Sequence, residues 1–326
     1  MNENRLKVKI VGILDKIFDN FYELNLYEYI TSPEKYLHQS DFEVDELWGL
    51  KEDLDVPENI HEIIDDVASY CVSKFETIIF KNNQFIYLDI VARNKLMNIY
   101  QSLFESGFNF LRVSETKLSF AEKLSDALKK HHHQIEVLLK SCVFLDDDDY
   151  FLKYISRPTV SEDYSPEFQF ELFQIDPDKL RQPILDLGCG NTGRLVNYLW
   201  KKGMDVLGVD RVVPEGINFV KADWFYFKLR RTYWGTIIAH QSLSTHFIFY
   251  HSLSDEMARR YARLFMNILD ALQVNGKFYY APGLPFFEEY VADLSKIETR
   301  KIPVRMNVDV KGIDEIAYAV EMTRLG

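Results

Sequence analysis

From Leu6 onward apolar residues return at helical intervals: Leu6, Ile10, Ile13, Leu14, Ile17, Phe18 and Phe21 share one side of a 3.6-residue repeat, so the spacing predicts a long amphipathic helix. Similar stretches follow at Ile60 to Ile79, Val91 to Phe104 and Ser119 to Val143. The last opens on Ser119 with Glu122 three positions later, the spacing of a capping box, which places the helix start at Ser119. Residues 1–160 therefore read as a helical domain. Asp146 to Asp149 and the Pro- and Ser-containing stretch Arg157 to Pro166 read as a solvated linker that ends it.

Beyond residue 160 the period changes. Short apolar runs near 183–187, 204–209, 217–221, 235–240 and 276–281 alternate with helical patterns near 193–202, 254–273 and 285–296, which predicts βαβ units and a parallel sheet. The end of the chain alternates instead, with Ile302, Val304, Met306 and Val308, then Ile316, Tyr318, Val320 and Met322. Two antiparallel strands closing the sheet are expected. The fold class is thus α/β, a parallel sheet with an antiparallel C-terminal pair over residues 161–326, preceded by an α-helical N-terminal domain over 1–160.

Composition narrows the reading. A chain of 326 residues favours two units; 47% hydrophobic and 27% charged residues, with 14 Gly and 10 Pro, argue against long disordered tracts. The opening MNENRLKVKI has no signal-like apolar run, and no window reaches the roughly 18 apolar residues that span a bilayer, so a cytoplasmic protein without membrane contact is expected. Cys71, Cys142 and Cys189 are widely spaced without a CxxC pair, which suggests neither a disulfide framework nor a thiolate metal site. A net charge of -12 makes nucleic acid an unlikely partner, and Arg259, Arg260 and Arg263 read as a solvated helix face. His131, His132 and His133 are adjacent on a helix, about 100° apart, so they cannot converge on one ion. They read as polar surface, and no metal is expected.

The chemistry concentrates in Ile184-Leu185-Asp186-Leu187-Gly188-Cys189-Gly190-Asn191-Thr192-Gly193-Arg194-Leu195, a buried strand running through glycines into a helix. Glycine permits both the positive φ values of such a turn and close approach of backbone to a ligand. GxGxxG alone also describes nicotinamide and flavin sites. Asp186, two residues before Gly188, places a carboxylate where the dinucleotide fingerprint normally has an apolar or small residue, and so favours a cationic ligand over a pyrophosphate.

The stretch DLGCG resembles motif I of the class I, Rossmann-like S-adenosylmethionine-dependent methyltransferases, and the resemblance extends over roughly residues 180–326. It implies S-adenosyl-L-methionine as cofactor, with Gly188, Cys189, Gly190 and Gly193 wrapping its methionine part and Asp186 organising the loop and the cofactor's ammonium group. The family's commoner Asp-x-Gly-x-Gly-x-Gly spacing is exceeded here by one residue, at Gly193. Asp210, ending the second strand with Arg211 beside it, suits the two ribose hydroxyls, and the family assigns the same role. Asp223 and Trp224, after the third strand, suit the amino group and the ring face of adenine. Only Arg211 to Gly216 separate the second strand from the third, so the usual crossover helix is missing or reduced to a turn.

After the fourth strand, His240-Gln241-Ser242-Leu243-Ser244-Thr245-His246-Phe247 reads as a polar loop at the carboxyl end of the sheet; in the family it faces the methyl group, which makes His240 a cofactor contact and His240 and His246 candidate general bases. The Asp/Asn-Pro-Pro-Tyr/Phe signature of adenine and glutamine N-methyltransferases is absent. The expected activity is methyl transfer to an unidentified acceptor, a small molecule or a protein rather than nucleic acid. The alternatives are an inactive cofactor-binding scaffold and, below it, an NAD-dependent oxidoreductase. The helical domain is expected to serve as lid, substrate or partner binder, through which a homodimer or protein complex could form.

Overall fold

The computed structural model describes residues 2–21, 26–32, 41–53, 60–143, 152, 155, 164–304 and 317–326. The chain divides into two compact units, Met1–Val160 and Ser161–Gly326.

The first unit is built of helices: α1 (Asn2–Phe21), α2 (Leu26–Thr31), α3 (Asp41–Gly49), α4 (Ile60–Asn82), α5 (Ile90–Val113) and α6 (Lys117–Ser141). The apolar stripe of α1 is buried at Leu6, Ile10, Ile13 and Phe18, against Ile63, Ile64 and Val67 of α4 and Phe108 and Leu111 of α5 among others. The start of α5 is capped by Asp89, whose Oδ1 accepts from the Ala92 amide at 2.7 Å. Helix α6 begins two residues earlier than expected: Thr116 is its N-cap, its hydroxyl accepting from the Ser119 amide at 3.2 Å, so Ser119 lies inside the first turn.

The histidine triplet is a second correction. His131 and His132 are buried, ring to ring with Tyr100 at 4.8 Å and Tyr29 at 4.6 Å. A helix with neighbours on two sides buries a stripe wide enough to take two consecutive positions, and only His133 stays exposed. Burial lowers the His131 pKa to about 4 and that of His132 in the same direction. Among the described residues no cluster of three or more His, Cys, Asp or Glu is placed to hold a metal ion.

The second unit holds α7 (Pro166–Phe173), β1 (Ile184–Leu187), α8 (Arg194–Lys201), β2 (Val206–Asp210), β3 (Phe219–Lys221), β4 (Trp234–His240), α9 (Leu243–Tyr250), α10 (Asp255–Ala271), β5 (Leu272–Ala281), α11 (Pro285–Ala292), β6 (Ile297–Pro303) and β7 (Tyr318–Arg324). The seven strands run in the order β3-β2-β1-β4-β5-β7-β6; β7 is antiparallel to both β5 and β6, and the other pairs are parallel. This is a Rossmann-like α/β sheet closed by an antiparallel C-terminal pair, the class I methyltransferase type of fold.

Alternation along β5 divides the core between the two faces of the sheet. Tyr279 packs with Phe170 and Phe173 of α7 and Leu195, Val196 and Leu199 of α8 in one cluster. Phe278 and Tyr280 instead meet Phe265 of α10, at 5.8 and 5.7 Å between ring centroids. Residues 211–218 join the parallel strands β2 and β3 without a helix.

Several elements differ from expectation, among them β5, which begins at Leu272, and α11, which ends at Ala292. The sequence assigns Pro166 to the linker, but it starts α7: Ser165 caps the helix by accepting from the Phe168 amide at 3.1 Å, and Pro166 sits at its first turn, where its missing N–H costs nothing. The expected loop after His240 is largely α9. Strand β6 begins at Ile297, not Ile302; its exposed edge carries Glu298, Arg300 and Lys301, so apolar alternation is too sparse to mark it. Met306, Val308, Ile316 and most of Asp146 to Pro166 lie outside the described residues.

Candidate functional site

The glycine segment turns the carboxyl end of β1 into α8 with Gly188 at φ +91°, Gly190 at +69° and Gly193 at +53°. These are left-handed conformations that favour glycine. At Gly188 a Cβ would stand 2.3 Å from the Ser242 Cβ and 3.1 Å from Trp224 Cζ2; at Gly193 it would stand 2.3 Å from the Phe219 ring. The additional residue in the motif is taken up in the turn before Gly193, which becomes the left-handed N-cap of α8. Ser242 tightens the turn from the other side, its hydroxyl donating to the Leu187 carbonyl at 2.7 Å.

Asp210 fastens the loop to β2. One of its oxygens accepts from the Gly190 amide at 3.0 Å, the other from the Arg211 amide at 2.6 Å and more weakly from the Val212 amide at 3.4 Å. Burial raises its pKa, opposed by the Arg211 charge and by these amides. Asp186 is only 5% exposed, and burial followed by the proximity of Asp210 pushes its pKa up to about 7. No cation among the described residues forms an ion pair with it. A buried carboxylate without a positive partner is costly, and a ligand that brings a cation relieves that cost.

Asp186 lines a cavity together with Gly188, Cys189, Gly190, Thr192, Arg194 and Leu195 from the glycine segment, His240 from the end of β4, and Tyr164 and Gln169 from the α7 region. Thr192, Arg194 and Leu195 stand in the motif itself; Tyr164 and Gln169 were missed, and the Ser165-Pro166 helix start was the signal that would have placed them. Gln169 is held by a long hydrogen bond from its amide to the Tyr164 carbonyl, 3.5 Å.

His240 is buried at the cavity edge, its ring 4.5 Å from Tyr164 and 5.8 Å from Phe173, and burial lowers its pKa to about 4. It is neutral at physiological pH. His246 does not line the cavity. It lies on α9, where its Nδ1 is 3.2 Å from the Tyr261 hydroxyl and its ring 5.1 Å from Trp224, with its pKa well below the usual value through burial and the Arg211 charge. The structure thus gathers Asp186, Gly188, Cys189, Gly190 and His240 around one cavity, with Gly193 shaping its loop.

Asp210 touches this group through the Gly190 amide and Arg211 only through Asp210, to which its own amide donates; Asp223 and Trp224 lie outside the cavity lining. The Asp223 side chain accepts from the Phe225 amide at 2.9 Å and its carbonyl from those of Tyr226 and Phe227, so it opens the turn after β3. Trp224 is buried, its indole Nε1 without a hydrogen-bond partner.

No family model matches the chain, and no curated protein matches it. Among solved structures, that of the plantazolicin methyltransferase BpumL in complex with SAH matches at 13% sequence identity, over 44% of this chain and 76% of that one, with a TM-score of 0.31. This likeness is too distant to bear on function.

Proposed function

We propose that the C-terminal unit binds S-adenosylmethionine and that the chain is a methyltransferase acting on an acceptor that is not nucleic acid. One observation carries this reading: a buried carboxylate, Asp186, faces the cavity of a glycine loop at a strand end with no cation of its own. A pyrophosphate would be repelled there, whereas the α-ammonium of an amino-acid ligand is the missing charge.

The residues present fit such a cofactor. Asp186 takes the ammonium, the loop from Gly188 to Gly193 encloses the methionine part, Arg194 and the N-terminus of α8 offer positive charge to a carboxylate, and Asp210, ending β2, and Asp223, two residues past β3, both outside the lining of the cavity itself, are assigned to ribose and adenine. When bound, S-adenosylmethionine supplies a methyl group already activated by its sulfonium. The protein's share is alignment and exclusion of water, and alignment alone is worth roughly 7 kcal/mol or more. His240, neutral and at the cavity edge, is the candidate to position or accept the acceptor's proton; His246 is assigned instead to packing between α9 and α10.

Thermal denaturation with ligand tests this. Adenosylhomocysteine at about a hundredfold excess over its Kd should add about 2.7 kcal/mol of stability and raise Tm by several degrees, while NADH should not. A rise with NADH and none with adenosylhomocysteine would overturn the reading.

A further inference from the structure

Helix α11 follows β5 after only three residues, and Ala281 at the end of β5 is the register partner of His240, so α11 leaves the same edge of the sheet that carries the cavity. Its inner face is anchored: Phe287 stacks on Phe265 at 4.4 Å, and Glu288 accepts from the Leu284 amide at 2.6 Å, from the Tyr280 hydroxyl at 3.1 Å and from the Tyr318 hydroxyl, and pairs with Lys301 at 2.9 Å. The outer face has a different composition. Phe286, Glu289, Tyr290 and Asp293 recur at intervals of three and four and form one stripe, with Phe286 69% and Tyr290 57% exposed.

Three features of this stripe point the same way. Glu289 and Asp293 have no ion pair among the described residues. They occupy the last turn and the C-cap of α11, where the helix dipole favours cations, and that last turn contains no basic residue. The two aromatic rings flank them four residues apart, the spacing at which neighbouring side chains on a helix share one surface. Aromatic faces and unpaired carboxylates together attract guanidinium and ammonium groups, the aromatic through cation–π contact and the carboxylates through charge.

We propose that the outer face of α11, formed by Phe286, Glu289, Tyr290 and Asp293, is a docking surface for an Arg/Lys-rich polypeptide segment. Charge complementarity selects this occupant: the stripe offers two uncompensated negative charges, in a chain of net charge -12, and two apolar plates on which the stems of long cationic side chains can lie. A second copy of this chain would bring the same carboxylates against these. The surface does not depend on the methyl-transfer reading, because it is defined without the cavity and its test uses no cofactor.

The test measures fluorescence anisotropy of a labelled peptide of alternating Arg and Ala, titrated with the full chain, with a Glu-for-Arg peptide as control. Binding is expected only for the Arg peptide, weakening as salt rises. Glu289→Lys with Asp293→Lys, and separately Phe286→Ser with Tyr290→Ser, should each weaken it by about tenfold, with circular dichroism unchanged because all four side chains face outward. Glu122→Lys, an exposed carboxylate of the helical unit, should leave it unchanged. Absence of binding, or a loss with Glu122→Lys as large as that with the two Lys substitutions together with no loss for the serine pair, which is bulk charge alone, overturns the proposal. So does self-association of the chain that the serine pair abolishes while peptide binding persists, since the stripe then serves a second copy.

Discussion

Asp186 and Asp210 lie at the carboxyl ends of neighbouring parallel strands, and after burial the Asp210 charge makes Asp186 harder to ionise. Asp210 is compensated by three amides and the Arg211 charge, whereas Asp186 is not, which is why the pKa near 7 falls on Asp186. In the ligand-free protein its carboxyl holds a proton below about pH 7, and an arriving ammonium must expel it. Affinity for adenosylhomocysteine should therefore rise with pH, by roughly tenfold per unit at most, and level off above about 7. Calorimetry in buffers of different ionisation enthalpy should show a proton released on binding, and Asp186→Asn should bind weakly with no pH dependence. Affinity of the natural protein that is flat across this range would remove Asp186 from contact with the ammonium. Asp210→Ala has a broader expected effect. It removes the acceptor of the Gly190 amide together with any bond to ribose, so affinity should fall by roughly 1–3 kcal/mol and Tm should fall too. A loss of affinity with unchanged Tm would mean the loop holds its shape without this carboxylate.

At the scale of elements, the glycine turn allows a sharp test. Gly188→Ala brings a Cβ within 2.3 Å of the Ser242 Cβ at a φ of +91°, so it should cost about 1–3 kcal/mol of backbone strain plus the clash. Ser242→Gly in the same chain should restore part of the loss in chemical denaturation, and no difference between Gly188→Ala and the natural protein would show that the turn moves freely. The strand, the turn and its strand-end carboxylates were legible because a buried parallel strand is a continuous apolar run and positive φ demands glycine. Helices α7 and α9 were not legible: each has eight residues, and aromatic and polar side chains interrupt any periodic stripe. The burial of His131 and His132 was invisible because one helix's pattern does not reveal how many neighbours it packs against. Those rings make acid stability informative. The pKa of His131 is depressed to about 4, against an ordinary 6.5, so between these values the unfolded chain binds the extra proton and stability falls as pH drops. His131→Phe, which keeps a ring against Tyr100, should flatten the decline in Tm between about pH 6.5 and 4.5 without abolishing it, since His132, His240 and His246 are depressed as well. An identical slope in the variant would mean that this ring is hydrated.

For the whole molecule, the question is what the first unit contributes when the cavity's lining residues all lie between Tyr164 and His240. The second unit has its own core, its complete sheet and the full glycine segment, so a chain of residues 161–326 should fold and bind adenosylhomocysteine with nearly the affinity of the full protein. Acceptor recognition is a different matter. On the methyltransferase reading it needs chain beyond the sheet itself, and two of the carboxyl-end connections among the described residues have little to spare. The link from β5 to α11 is residues 282–284, and the link from β4 to α10 is largely spent on α9, whose Leu243, Ser244, His246 and Tyr250 are buried. We propose that the helical unit supplies acceptor recognition. The shortened chain should then bind cofactor yet fail to transfer methyl groups to any acceptor that the full chain uses, measured as radiolabel passed from S-adenosylmethionine. Full transfer by residues 161–326 would sink this assignment and leave the helices to bind a partner that plays no part in the reaction. Loss of both binding and transfer would instead show that the second unit does not hold its cavity in shape alone.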